Sequence, residues 1–196
     1  MVPMDNENSV PYSVHQGTRV MVFVDGENLA CRYATELGDQ SAQDHVKYRK
    51  DTFVWSRFAN MKYHQRCEVL RHYYYTTVQG DDLAIDGVVG ELKAVGIEAP
   101  RVFKKRRGRS AKRVDISLAT DMLSHAHRKN YDLAILVAGD EDYVPLVEAV
   151  MAEGRRVVVW ALRSGLSPAL ATAVDHCFNV GSILFATQQE LVGRFR

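Results

Sequence analysis

The sequence predicts an α/β fold with a mostly parallel central sheet. Three observations carry that expectation. Short apolar runs rich in β-branched residues recur at 19–25 (RVMVFVD), 133–137 (LAILV) and 156–162 (RVVVWAL). Unbroken runs of this kind fit strands covered on both faces. Between them, apolar residues fall three or four apart, as on a helix laid against a sheet. Strand-like and helix-like segments alternate along the chain, which is the pattern of βαβ units.

The first strand, 19–25, ends at Asp25 with Gly26 beside it. Asn28 is placed to cap a helix over 29–37. Residues 38–50 are polar and read as an excursion. Asp51 is placed to cap a second helical pattern with Phe53, Val54, Trp55, Phe58 and Met61. Residues 68–78 (EVLRHYYYTTV) read as a strand. Gly80-Asp81-Asp82 then opens a helix to about residue 95, which Gly96 closes. Residues 97–103 read as a polar edge strand. A basic loop follows, and then a helix over 114–129 with Ile116, Leu118, Ala119, Met122, Leu123 and Ala126 on its inner side. The strand at 133–137 leaves through Ala138-Gly139, where Gly139 permits a tight exit and Asp142 can cap the next helix. Gly154 separates that helix from the strand at 156–162, and Ser167-Pro168 opens a short helix. A last short strand or turn spans 175–180, and 181–195 read as helical.

Right-handed crossovers place the strands at 19–25 and 133–137 side by side in the centre, with the two windings running outward in opposite directions. Asp25 and Asp140 then stand on adjacent strand tips at a topological switch point, where open α/β sheets bind ligands.

A length of 196 residues suits one domain, read here as 18–196 behind a polar leader at 1–17. The N-terminus lacks the basic start and apolar core of a signal peptide, and no apolar stretch is long enough to span a membrane. Three widely spaced cysteines exclude a disulfide framework and a zinc site. The expectation is a soluble, cytoplasmic protein with no membrane partner.

Four carboxylates, Asp25, Asp115, Asp140 and Asp142, can converge at the switch point. Oxygen ligands without clustered His or Cys select Mg²⁺ or Mn²⁺. The formal net charge is only +1, but eight basic residues and no acid lie between Arg101 and Arg113. An acidic site beside a basic loop points to metal-dependent hydrolysis of a phosphodiester, with a nucleic-acid backbone as the polyanion. Plainer roles stay open. Asp25 and Asp140 can terminate strands, Asp142 can be a helix cap, and Asp115 can be a first-turn acid. Asp121 lies mid-helix, as a solvated or ion-paired residue would. His125 and His127 face apart on a helix. Tyr73, Tyr74 and Tyr75 beside His72 can stack on bases or simply alternate within a strand. A metal-dependent phosphatase is a weaker alternative, since the first strand ends in Asp-Gly-Glu rather than Asp-x-Asp.

Four stretches together resemble a known family: VFVDGENL (22–29), KRVDISLATDM (112–122), AGDEDYVPLVEAV (138–150) and GRRVVVW (154–160). They look like the NYN domain, or LabA-like group, of the PIN-like nuclease superfamily, over about 19–180. The late stretch LSPALATAVDHCF (166–178) fits the same pattern. The resemblance implies a single PIN-like (Rossmannoid) three-layer α/β/α domain. It also implies Mg²⁺- or Mn²⁺-dependent ribonuclease activity. The family's acids fall on Asp25, Asp115, Asp140 and Asp142 as metal ligands, and Asn28 matches a site residue near the first acid. Asp121 and Asp175 match further acidic positions. Lys104, Lys105, Arg106, Arg107, Arg109, Lys112 and Arg113 are the candidate RNA contacts. Ala138 stands where many members carry Ser, and Glu141 adds a carboxylate. Some members act as RNA binders or regulators, so a non-catalytic RNA-binding module is the alternative. A homodimer is compatible with the family.

Overall fold

The computed structural model describes residues 17–62, 67–105 and 110–194, with the backbone alone at 110 and 111. The first strand, β1 (Thr18–Asp25), lies inside a six-stranded sheet. The chain then forms α1 (Gly26–Leu37), an antiparallel pair β2 (Val46–Arg49) and β3 (Phe53–Ser56), and a short α2 (Arg57–Met61). It returns as β4 (Cys67–Val78) beside β1, and continues through α3 (Asp82–Ala94) to β5 (Ala99–Lys104) at the edge. Helix α4 (Ser110–His127) carries it back to β6 (Leu133–Val137) on the other side of β1. The second winding runs α5 (Val144–Ala152), β7 (Arg156–Ala161), α6 (Pro168–Ala173) and β8 (His176–Asn179), followed by α7 (Gly181–Leu184) and α8 (Gln188–Arg194). The sheet order is β5-β4-β1-β6-β7-β8, all pairs parallel. The reversal of order between β1 and β6 is the expected switch point.

Alternation along the strands builds two separate cores. Val20, Val22 and Val24 face one side with Leu29, Tyr33, Leu92 and Trp160. Met21 and Phe23 face the other with Leu118, Met122, Leu136 and Val147. The sheet is covered by α1 and α3 on one face and by α4 and α5 on the other, which gives three layers. Among the described residues no helix is long and apolar enough to cross a membrane.

Several local expectations are corrected. Asp51 caps no helix. It has φ 54° and turns the β2–β3 hairpin, with the Thr52 N–H donating to the Arg49 carbonyl. Phe53, Val54 and Trp55 therefore belong to a fully buried strand. The short helix after it is capped by the Ser56 hydroxyl. The excursion at 38–50 contains β2. Helix α4 starts at Ser110, not 114, so Lys112 and Arg113 are helical residues and Asp115 lies beyond the first turn. The C-terminal helical stretch is two short helices. Arg106, Arg107, Arg109 and most of the leader lie outside the described residues.

Candidate active site

The site begins with two strand tips stitched together. Asp25 ends β1 and caps α1, its Oδ1 accepting the Asn28 N–H at 3.0 Å. Asn28, expected to be the cap, is instead in the first turn of the helix. Its Oδ1 accepts the Gly139 N–H at 3.3 Å and so ties α1 to the exit of β6. Asp140 likewise takes the capping role expected of Asp142. Its Oδ1 accepts the Asp142 N–H at 3.2 Å and opens a 3-10 turn, Glu141–Tyr143, that runs into α5. Asp142 is left exposed.

Tyr143 joins the acids. Its hydroxyl lies 2.9 Å from Asp25 Oδ2 and 3.3 Å from Asp115 Oδ1, donating toward both carboxylates. Asp25 is only 5% exposed. Burial pushes its carboxyl up to about 6, with Asp115 and Glu27 adding to the rise, while the Asn28 N–H and Tyr143 bonds pull it down. Asp115 is raised by burial and by Glu27, Asp140 and Asp142, against the Tyr143 bond. Burial, reinforced by Asp25 and Asp115, drives the Tyr143 phenol far above its ordinary value. The four predicted acids therefore share one electrostatic neighbourhood. Asp115, Asp140, Asp142 and Tyr143 line a cleft of about 190 Å³ with Ile116, Ala119 and Leu146. Asp25 meets it through Tyr143.

Removing the shared hydroxyl isolates a testable part of this arrangement. Tyr143→Phe leaves the buried Asp25 carboxylate without its side-chain donor. In EDTA at pH 8 the expected loss is about 1–3 kcal/mol of stability. At pH 5, where Asp25 is mostly protonated, the loss shrinks. Equal losses at both pH values in thermal melts contradict the arrangement.

Two participants were missed in the sequence. Tyr143 sits in the DEDY motif but reads as a core aromatic. Glu27, on the first turn of α1, lies close enough to raise both Asp25 and Asp115. Its Oε1 accepts the hydroxyl of buried Thr77 and pairs with Lys105 Nζ at 3.4 Å. Lys105 thus brings the root of the basic segment to the acids. Lys104 ends β5, Lys112 is exposed on α4, and the Arg113 guanidinium lies over the Phe103 ring at 4.5 Å.

Other candidates fall elsewhere. Asp121 accepts from the Tyr75 hydroxyl at 2.8 Å and lies 3.7 Å from Arg101. Asp175 accepts the Val157 N–H at the start of β7, the far end of the sheet from the cleft. Tyr73, Tyr74 and Tyr75 are buried, which removes them as base-stacking surfaces. His125 points inward to the Tyr73 hydroxyl at 3.0 Å, while exposed His127 meets Glu153, so the two histidines face apart.

The donor chemistry fits a hard divalent cation. It is all oxygen, and burial and mutual repulsion hold Asp25 and Asp115 at raised values that a cation would lower. The present spacing is looser. Among the described residues no three His, Cys, Asp or Glu side chains are grouped to hold a metal ion.

The architecture and the cleft together define a Rossmann-like α/β domain with carboxylates at its switch point. A family model for the NYN domain matches residues 19–181, and the chain belongs to that family, which is generally nuclease-like. The chain is 29% identical over 72 residues to the uncharacterized protein MJ0482 of Methanocaldococcus jannaschii, a match covering 37% of this chain and 30% of that relative. Its fold resembles the crystal structure of VPA0982 from Vibrio parahaemolyticus, a protein of unknown function. That match has a TM-score of 0.62 and 19% identity, and covers 83% of this chain and 93% of the other.

Proposed function

We propose that this chain is a metal-dependent endoribonuclease that hydrolyses RNA phosphodiester bonds at the β1/β6 strand tips. The observation that carries this is the Tyr143 hydroxyl held between Asp25 and Asp115, with Asp140 and Asp142 close enough to raise Asp115. Such a concentration of like charge in a cleft marks a functional site better than a structural one. Mg²⁺ or Mn²⁺ suits the donor set, with Asp25, Asp115, Asp140 and Asp142 as its holders. Once bound, it would supply an activated water and offset charge on the phosphoryl oxygens.

The chain's own residues do the positioning. Asn28 locks the exit of β6 against α1. Tyr143 orients two carboxylates. The basic residues from Lys104 to Arg113 bind the phosphates as a sequence-independent electrostatic contact. None of the three cysteines forms a disulfide, which suits a cytoplasmic setting.

Replacing the basic residues among 104–109 with Ser is expected to weaken RNA binding for every sequence and to flatten its dependence on salt. Unchanged binding in a fluorescence-anisotropy titration would remove this segment from the interface. The looser spacing of the acids favours a second reading, a non-catalytic RNA-binding module of the same fold. The two part on one result: cleavage of RNA that depends on added Mn²⁺ or Mg²⁺ supports the nuclease, and binding without cleavage in either metal supports the module.

A further inference from the structure

One side chain links the basic segment to the acids, and it is held there by a carboxylate the catalytic assignment does not use. Lys105 directly follows β5, and its N–H donates to the Val78 carbonyl at 2.8 Å, so its backbone is fixed to the end of β4. Its side chain is 38% exposed, and its ammonium lies 3.4 Å from Glu27 Oε1. Glu27 is less free to move. Its side chain is 20% exposed, it sits on the first turn of α1, and Oε1 also accepts from Thr77, which is fully buried. The anchored member of the pair is the anion, and the mobile member is the cation.

We infer that Glu27 is the internal counter-ion of a phosphate-positioning lysine: it parks Lys105 beside the acids until an RNA phosphate takes its place. This inference rests on RNA being the ligand of the cleft. The chemistry favours exchange. An ammonium carries three donors on a flexible stem and binds phosphate as a point charge. A half-exposed ion pair contributes little, so an RNA phosphate, itself an anion, can compete with Glu27 for the lysine. Glu27 holds Lys105 near the acids and lowers the affinity for RNA at the same time.

A double-mutant cycle on RNA binding tests this. A labelled mixed-sequence RNA is titrated in EDTA, so that binding is read without turnover, with wild type, Glu27→Gln, Lys105→Met and the double variant over a range of salt. Glu27→Gln is expected to tighten binding about two- to fivefold, the size of a half-exposed ion pair. Lys105→Met is expected to weaken binding and reduce the salt slope by about one phosphate contact, with Lys105→Arg restoring the slope. In the Lys105→Met background, Glu27→Gln should have no effect. The same tightening in both backgrounds would show that Glu27 acts as a general negative charge, and would overturn the inference alone. Wild-type protein that neither binds RNA in EDTA nor cleaves it with Mn²⁺ or Mg²⁺ would overturn the functional proposal, and this inference with it.

Discussion

Asp25→Asn is expected to abolish RNA cleavage while making the metal-free protein more stable at neutral pH. The site's most buried carboxylate carries both effects. Asn keeps the cap on α1, since it accepts the Asn28 N–H as well as Asp does. The charge is what is lost, and with it a candidate metal holder, so activity should fall by more than about a hundredfold.

The stability change has the opposite sign. Folding raises the Asp25 carboxyl from 3.8 to about 6, chiefly by burial. A raised carboxylate contributes stability below its unfolded value, and that contribution is lost as pH rises through about 6. Between 3.8 and about 6 the difference corresponds to about 3 kcal/mol. In EDTA, melts of the two proteins should converge near pH 4 and separate above pH 6, with the Asn variant higher. Parallel melts across that range would mean that Asp25 ionises without strain.

Gly139→Ala has the largest expected effect on the fold. An added Cβ would lie 2.0 Å from the Gly165 carbonyl oxygen and 2.6 Å from its carbon, both main-chain atoms that cannot rotate aside. The 3-10 turn carrying Gly165 is itself fastened, because the Ser167 N–H donates to the Gly139 carbonyl at 2.8 Å. Something must shift, and overpacking of this kind costs about 3 kcal/mol, or about 6–12 °C in Tm for a chain of this size. The shift falls next to Asp140, so RNA cleavage should drop by more than the unfolded fraction accounts for. A melting temperature within about 2 °C of wild type would contradict the contact.

Gly139 also shows where the sequence was legible and where it was not. Its presence at the end of a buried apolar run marked the strand exit, and the exit is there. Conformational freedom was the expected reason, but Gly139 is not among the positive-φ glycines. The requirement is space against a loop some 25 residues onward in the chain, and local sequence carries no trace of it. Periodicity and strand-tip acids sufficed for the parallel sheet and for the adjacency of Asp25 and Asp140, because burial on both faces leaves a direct mark on composition. The caps went astray for a related reason. Asp25 and Asn28, or Asp140 and Asp142, are all good capping residues two or three apart, and only the backbone path decides which one turns back. The β2–β3 hairpin was hidden because four consecutive buried residues in a short strand mimic one face of a helix. Glu27 and Tyr143 act on the site through contacts with distant segments, β4 and α4 respectively, so their spacing alone gives no signal.

The central claim is that the carboxylates at the β1 and β6 tips form a metal-dependent RNA-cleaving site. The most direct measurement is cleavage of a labelled mixed-sequence RNA by wild type, Asp25→Asn and Asp140→Asn, each with Mn²⁺, with Mg²⁺ and with EDTA, and with circular dichroism to establish that each variant is folded. The account predicts cleavage by wild type in one or both metals, none in EDTA, and loss in both folded variants. Cleavage that survives EDTA, or that persists in either folded variant, would contradict it.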